Sequence, residues 1–547
     1  MHSIRTVIFL ILTFILQFQL FAQSIPNVPS EKPKLVVVVV VDQMRYDLLT
    51  RFKSDFSPNG FNRIVSEGTL CSNARHEYFL TQQLTGYATI VTGAFPSMHG
   101  IISDSWFSRV NNKEVFVAVD NNIMPVGASP KENGFSPKDL QIHTLWDELT
   151  LATQSRSKIH SVALNGKVAA ISGGFTSHGA WWFDIYSGNW ITSSYYRDSL
   201  PRWLIDFNSK KIPDIYVNRQ WTPKKPVSSD TVSQPSFVKA FFRRVNFLYN
   251  LIESRTISQS YRILTQTPMG ITLTFDMAKQ VIVNESLGKD LFPDVLVIGI
   301  NPTGTIVRKY GLLSIELEDT YLRLDEELGH FINFLDQEIG LKDVLMVLTS
   351  DCGSSHDPKF LQQFKLPAGV FDQKQLITLS GSYLNAIYGK GNWILGYRNK
   401  QFYLNHTLIE DSKLSLNEMQ DRLARFVLQF TGVANALPAY TLQSTNFSHG
   451  TFVLMQRSYN QRRSGDVIIN LDPGWIEKSD DVVQSNSGYD YDTHVPLVWF
   501  GWKVPRMVIY RHIPTTSIAS TLAAFLDIVP PGGASGEVLY DLMQKNR

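Results

Sequence analysis

Lys34-Leu-Val-Val-Val-Val-Val-Val-Asp42-Gln-Met-Arg-Tyr-Asp47 is the stretch whose reading decides the fold. Seven apolar, mostly β-branched residues, Leu35 to Val41, run without a break into an aspartate. Such a run predicts a central parallel strand buried on both faces. In open α/β sheets, ligands sit in the crevice beyond the carboxyl ends of the strands, so Asp42 stands where a site belongs. An aspartate after a strand also serves as a helix N-cap, and position alone leaves both roles open.

The rest of the chain alternates in the same manner. Helical turns are expected at 46–52 and 60–67, a short strand around 76–79, and a helix over 81–93. The N-terminus of that last helix, near Thr81 to Leu84, offers free N–H groups and positive dipole to an anion. A turn-rich loop follows at 95–106, then a helix at 140–152 and a strand at 158–164. From 173 to 268 the texture changes to aromatic residues, Ser and Pro, with Trp181, Trp182, Trp190, Trp203 and Trp221. This segment is expected to be an inserted cap, its tryptophans forming either a binding surface or ordinary cap packing. Strands at 294–300, 343–349 and 497–500, with helices at 272–283, 319–339 and 515–526, restore the rhythm. The fold class expected is therefore α/β, a doubly wound, mostly parallel sheet flanked by helices.

At 547 residues, 44% hydrophobic and 18% charged, the chain has ample material for a large core. A formal net charge of +2 gives no electrostatic case for nucleic acid. Arg5, the apolar run from Val7 to Leu20 and the small Ala22 predict a secretory signal peptide over 1–22. That run is short for a membrane span, although Leu20 is large for a cleavage site and an uncleaved anchor is the alternative. No membrane span is expected after cleavage, and the mature protein is expected to be periplasmic or secreted. Two cysteines, Cys71 and Cys352, do not make a disulfide scaffold.

Four stretches together resemble the alkaline phosphatase superfamily, in its branch of exported bacterial phosphate monoesterases related to nucleotide pyrophosphatases and phosphodiesterases. They are Val41-Asp42-Gln-Met-Arg-Tyr-Asp47, Pro96-Ser-Met-His-Gly100-Ile-Ile, Ile315-Glu-Leu-Glu-Asp-Thr-Tyr-Leu-Arg-Leu-Asp325 and Tyr491-Asp-Thr-His494-Val-Pro-Leu. The resemblance covers residues 34–547 and implies an alkaline-phosphatase-like domain with an inserted cap and two zinc ions at the strand ends. In that chemistry two divalent cations lower the pKa of a Thr or Ser nucleophile and stabilise both oxygens of an in-line displacement at phosphorus.

Residue by residue, the resemblance gives a mixed result. Asp42 and Asp351 match two ligands of one zinc, but the histidine expected after Asp351 is Cys352. A thiolate is a good zinc ligand; a small buried hydrophobe is the other reading. For the second zinc, His494 matches, whereas Gly304 and Arg308 occupy the remaining two ligand positions. Glycine has no donor side chain and guanidinium is a permanent cation. The nucleophile position holds Gln83, with Thr81 and Thr85 two residues to either side; an amide has no ionisable oxygen. A phosphate-holding Asn is replaced by Asp104, and a Lys-x-Arg pair reads Asn165-Gly166-Lys167.

The resemblance therefore implies a pseudophosphatase with a binding role, for a phosphate ester or an unidentified ligand, holding no zinc or one where the family holds two. The alternative is an active phosphomonoesterase or phosphodiesterase with a single metal at Asp42, Asp351 and Cys352, a metal-bound water as nucleophile and Lys167 on the phosphate. Asp42, Asp351 and His494 also have a purely structural reading, as strand-end caps bonded to buried backbone. A sulfatase-like site would need a Cys/Ser-x-Pro-x-Arg motif, and nothing around Gln83 supplies it. No protein partner is named by any of these motifs.

Overall fold

The computed structural model describes residues 31–225, 248–477 and 486–543. The expected signal peptide at 1–22 lies outside them, as does part of the aromatic-rich stretch. Strand β1 (Leu35–Val41) is buried along its whole length. Because strand side chains alternate, Val37, Val39 and Val41 enter one core while Val36, Val38 and Val40 enter another. That is the physical content of the seven-residue apolar run: a strand with no polar face has a layer of helices on each side.

The central sheet contains β2 (Thr69–Arg75), β3 (Ile159–Ala163), β4 (Gly179–Phe183), β5 (Trp190–Ser193), β6 (Asp294–Ile300), β7 (Val344–Thr349) and β8 (His494–Gly501). Its order is β2-β8-β7-β1-β6-β3-β4-β5, with Met507–Ile509 and Ile513–Pro514 beside β2 and Pro125–Val126 beside β5. The five strands from β7 to β4 run parallel. On the flanks, β8 is antiparallel to β7 and to β2, and β5 is antiparallel to β4. The expected α/β, mostly parallel architecture is observed.

Several boundaries differ from expectation. The stretch over 179–193 does not stand apart as a cap; it supplies β4 and β5 to the sheet. Trp181 and Trp182, on opposite faces of β4, enter the two cores, and Trp190 and Trp221 are buried as well. The strand expected at 76–79 ends at Arg75, because the chain leaves the sheet there. The helix expected from 140 begins at Leu145, where Thr144 and Asp147 form a capping box.

Between β7 and β8 lies an insertion with its own four-stranded sheet, ordered Ile394–Arg398, Gln401–Leu404, Val467–Leu471, Val433–Pro438. It has a separate core that includes Leu376, Phe402, Leu423 and Val467. Among the described residues no helix is long and apolar enough to cross a membrane.

Candidate functional site

Parallel register brings four polar residues to one line above the sheet. Val41 of β1 pairs with Ile300 of β6, and Val40 pairs with Thr349 of β7. Just beyond the strand ends therefore stand, in spatial order, Asp351 after β7, Asp42 after β1, Asn301 after β6 and Asn165 after β3. Helix α1 (Gln83–Thr92) points its N-terminus at this row. Gly86 permits the approach: a Cβ there would lie 2.0 Å from the Asp351 carbonyl oxygen.

Asp42 is held by three side-chain donors. Its Oδ1 accepts from the Tyr87 hydroxyl at 2.8 Å, and its Oδ2 accepts from Asn301 Nδ2 at 3.0 Å and from Gln83 Nε2. Gln83 Oε1 accepts from Asn165 Nδ2 at 3.0 Å, and Asn301 Oδ1 accepts from the Asn165 backbone N–H at 3.0 Å. The four residues thus form a closed ring of hydrogen bonds, completed through the Asn165 backbone N–H. Asp351 Oδ1 accepts the backbone N–H groups of Gln43 at 2.7 Å and Cys352 at 2.8 Å. Gln43 reaches it from the left-handed region, at φ 55°. Asp351 Oδ2 meets no donor among the described residues.

Burial dominates the electrostatics of the site. It raises the Asp42 carboxyl to about 6, against the opposing pull of the Asn301, Tyr87 and Gln83 bonds and of the Arg308 charge. Burial, with the Asp42 charge beside it, also raises Asp351 well above the usual carboxylate range. Burial and the carboxylates of Asp351, Asp492 and Asp42 push the Cys352 thiol upward.

Asp104 accepts the Leu84 backbone N–H at 2.9 Å on Oδ1, while its own N–H donates to Gln82 Oε1 at 2.7 Å. A carboxylate of the chain itself therefore sits against the N-terminal turn of α1, where a phosphate oxygen would compete with it. Burial raises its pKa; the Leu84 bond, Lys167 and Arg308 oppose the rise. Lys167 lies over the Phe116 ring, with Nζ 5.2 Å from its centroid, and burial lowers its pKa against the pull of Asp104 and Glu114.

His494 is committed elsewhere. Its Nε2 donates to the Ser72 carbonyl at 2.9 Å and its ring stacks on Tyr46 at 4.6 Å. Gly304 is buried in helix α2 (Pro302–Tyr310), and Arg308 follows one turn later. Among the described residues no group of three or more His, Cys, Asp or Glu side chains is placed to hold a metal ion. The donor set does not fit two zinc ions, since Gly304 and Arg308 offer no ligand and both oxygens of Asp42 already accept hydrogen bonds.

The sequence motifs missed Asn301, which donates to Asp42, and missed the ring that joins it to Gln83 and Asn165. Asn301 had a signal: it is the first polar residue after the apolar strand Asp294–Ile300, as Asp42 is after β1.

A parallel sheet with its polar residues beyond the central strand ends, beneath a helix N-terminus, defines an alkaline-phosphatase-like α/β protein. The chain belongs to the type I phosphodiesterase / nucleotide pyrophosphatase family, whose model matches residues 36–492. It is similar to the alkaline phosphatase PhoV of Synechococcus elongatus, 32% identical over 516 residues, 94% of this chain and 93% of that protein. The alkaline phosphatase PafA of Elizabethkingia meningoseptica is 32% identical over 529 residues, covering 95% of this chain and 96% of its own. The crystal structure of wild-type PafA superposes with a TM-score of 0.88 at 31% identity, over 95% of this chain and all of the other (100%).

Proposed function

We propose that this chain is a catalytically impaired member of the alkaline phosphatase family, exported to the periplasm or beyond the cell, with a binding rather than a hydrolytic role. The observation that carries the reading is Gln83. At the position where the family has an attacking oxygen, both ends of this amide are engaged, on Asp42 and on Asn165. An amide cannot lose a proton to become a nucleophile in this chemistry. Asp104 at the helix N-terminus supports the reading from the substrate side, because its ionised carboxylate repels a phosphate that the family's neutral Asn would hold.

The test is hydrolysis of p-nitrophenyl phosphate by the purified, zinc-loaded protein, side by side with Asp42→Ala. No turnover above the buffer rate is expected from either. Turnover that disappears in Asp42→Ala would overturn the proposal. A second reading, one metal held by Asp42, Asp351 and Cys352, is favoured by the unpartnered Oδ2 of Asp351. It requires one tightly bound zinc per chain that is lost in Cys352→Ala.

A further inference from the structure

We propose that the insertion between β7 and β8 is a fixed clamp on the candidate site, with Arg463 as the positioning residue through which it sets the N-terminal end of α1. This role goes beyond the functional reading and holds whether or not the site hydrolyses a phosphate ester.

The motif Pro96-Ser-Met-His99-Gly100 follows α1 in the chain and faces two ways. Toward α1 it presents His99, which is 0% exposed. The Ile101 N–H donates to His99 Nδ1 at 3.1 Å, so Nε2 carries the proton and donates to Thr89 Oγ1 of α1 at 3.1 Å. Toward the insertion the motif is a socket. The Ser97 carbonyl accepts from Asn460 Nδ2 at 3.0 Å, and the Gly100 carbonyl accepts from Arg463 Nη1 at 2.7 Å. The same Nη1 donates to the Asp139 carbonyl at 2.7 Å, and the guanidinium lies 4.4 Å from the centre of the Trp106 ring. Gly100 makes the room: at φ 82° it sits in the left-handed region, and a Cβ there would lie 2.8 Å from Arg463 Nη1.

The neighbouring stretch of the insertion grips the chain on the other side of α1. Ser458 Oγ accepts the backbone N–H groups of Phe79 at 2.8 Å and Leu80 at 3.4 Å, and Arg457 Nη1 pairs with Glu77 at 2.8 Å. Phe79 and Leu80 also share one apolar cluster with Leu442, Met455 and Ile468. Residues 457–463 thus hold both the entry to α1 and its return loop. The helix needs such support, because its first N–H groups have no intrahelical acceptor. Its N-cap residue, Gln82, makes no side-chain cap bond. The Leu84 N–H is met instead by Asp104, four residues beyond Gly100. Where Gly100 is held therefore decides where Asp104 meets α1, and a site kept in place by its supporting contacts needs no closing motion.

Native-state hydrogen exchange of the purified protein, read by mass spectrometry, tests this. Arg463→Met keeps an apolar stem on Trp106 and removes both donors. Amides in 81–86 and 97–104 should then exchange about tenfold faster, while those of β1 and β6 keep their protection. Arg463→Lys retains a cationic donor and should lose less. Unchanged exchange at 81–86 would overturn the proposal. So would an equal rise in β1 and β6, which marks a loss of global stability alone, or equal losses in the Met and Lys variants. Should Arg463→Met not fold, Asn460→Ala, which removes the donor to Ser97 and Gln141, is read by the same comparison of 81–86 and 97–104 against β1 and β6. The phosphatase assay is read separately: turnover would sink the functional reading alone, and unchanged exchange in an inactive chain would sink only the clamp.

Discussion

Gln83 and Asp42 act as one unit with Asn301 and Asn165, and each of the four closes a bond that another leaves open. Removing one partner from such a buried set leaves a polar group unsatisfied, at about 1–3 kcal/mol. The same logic fixes His76, which is 1% exposed. Its Nε2 donates to the Ser350 carbonyl at 3.0 Å, so Nδ1 is the acceptor for Thr515 Oγ1 at 2.9 Å and the Tyr78 hydroxyl at 3.1 Å. Burial lowers its pKa to about 4, with the Ser350 bond opposing. A histidine depressed in the folded state contributes stability that is complete above the unfolded value, roughly 6.5, and is lost as pH falls through about 4. Urea unfolding should therefore show on the order of 3 kcal/mol less stability at pH 4 than at pH 7 from this residue. His76→Gln, which can still donate and accept, should flatten that slope; an unchanged slope would show that His76 is not its source. At this scale the sequence pointed, through neighbouring motif residues, to Gln83, Asp104 and Cys352, all three of which the structure places around the strand ends and the N-terminus of α1. It did not disclose Asn301, since an Asn before Pro302 reads equally well as a turn residue.

The elements explain how a distant insertion reaches the site. The hairpin Ile394–Arg398 to Gln401–Leu404 turns on Asn399 and Lys400, with φ of 49° and 62°. Positive φ at both central residues is the two-residue turn whose twist matches the strands, and Asn tolerates it. Asn399 then accepts from Gln82 Nε2 at 3.0 Å and donates to Ser103 Oγ at 3.2 Å and the Ser105 carbonyl at 2.7 Å. The tip thus buttresses the segments that flank Gln83 and Asp104. Asn399→Ala loses these bonds and keeps an unfavourable backbone, so a loss of about 2 kcal/mol is expected in denaturant unfolding. Asn399→Gly, which relieves the backbone, should lose less; equal losses would mean that the turn geometry is irrelevant. Hydrophobic runs made β1, β6 and β7 easy to read. The insertion was not legible as a unit, because its strands are short and its core forms only when segments from 371 to 471 meet. Aromatic density misled at 179–193: the large rings of Trp181, Trp182 and Trp190 fill cores at the sheet's flank instead of covering a separate lid.

For the whole molecule, the fold is the one shared with the alkaline phosphatase PafA. PafA superposes over 95% of this chain with a TM-score of 0.88, and the sequence of PhoV is 32% identical over 94% of it. Fold alone does not carry function, and the groups on which the proposed reading rests lie within one small volume beyond four strand ends. Amides and a tyrosine hydroxyl bond Asp42, a carboxylate holds the helix N-terminus, and an arginine lies over a bare glycine. Under the proposed reading these groups are mutually consistent, each taking up a position that a metal or a phosphate would use. The most direct measurement is the zinc content of the purified protein, by elemental mass spectrometry after loading and desalting. No tightly bound zinc is expected. Two zinc ions per chain would contradict the account, because His494, Asp42 and Asp351 would then have to leave the partners described above and recruit ligands beyond Gly304 and Arg308.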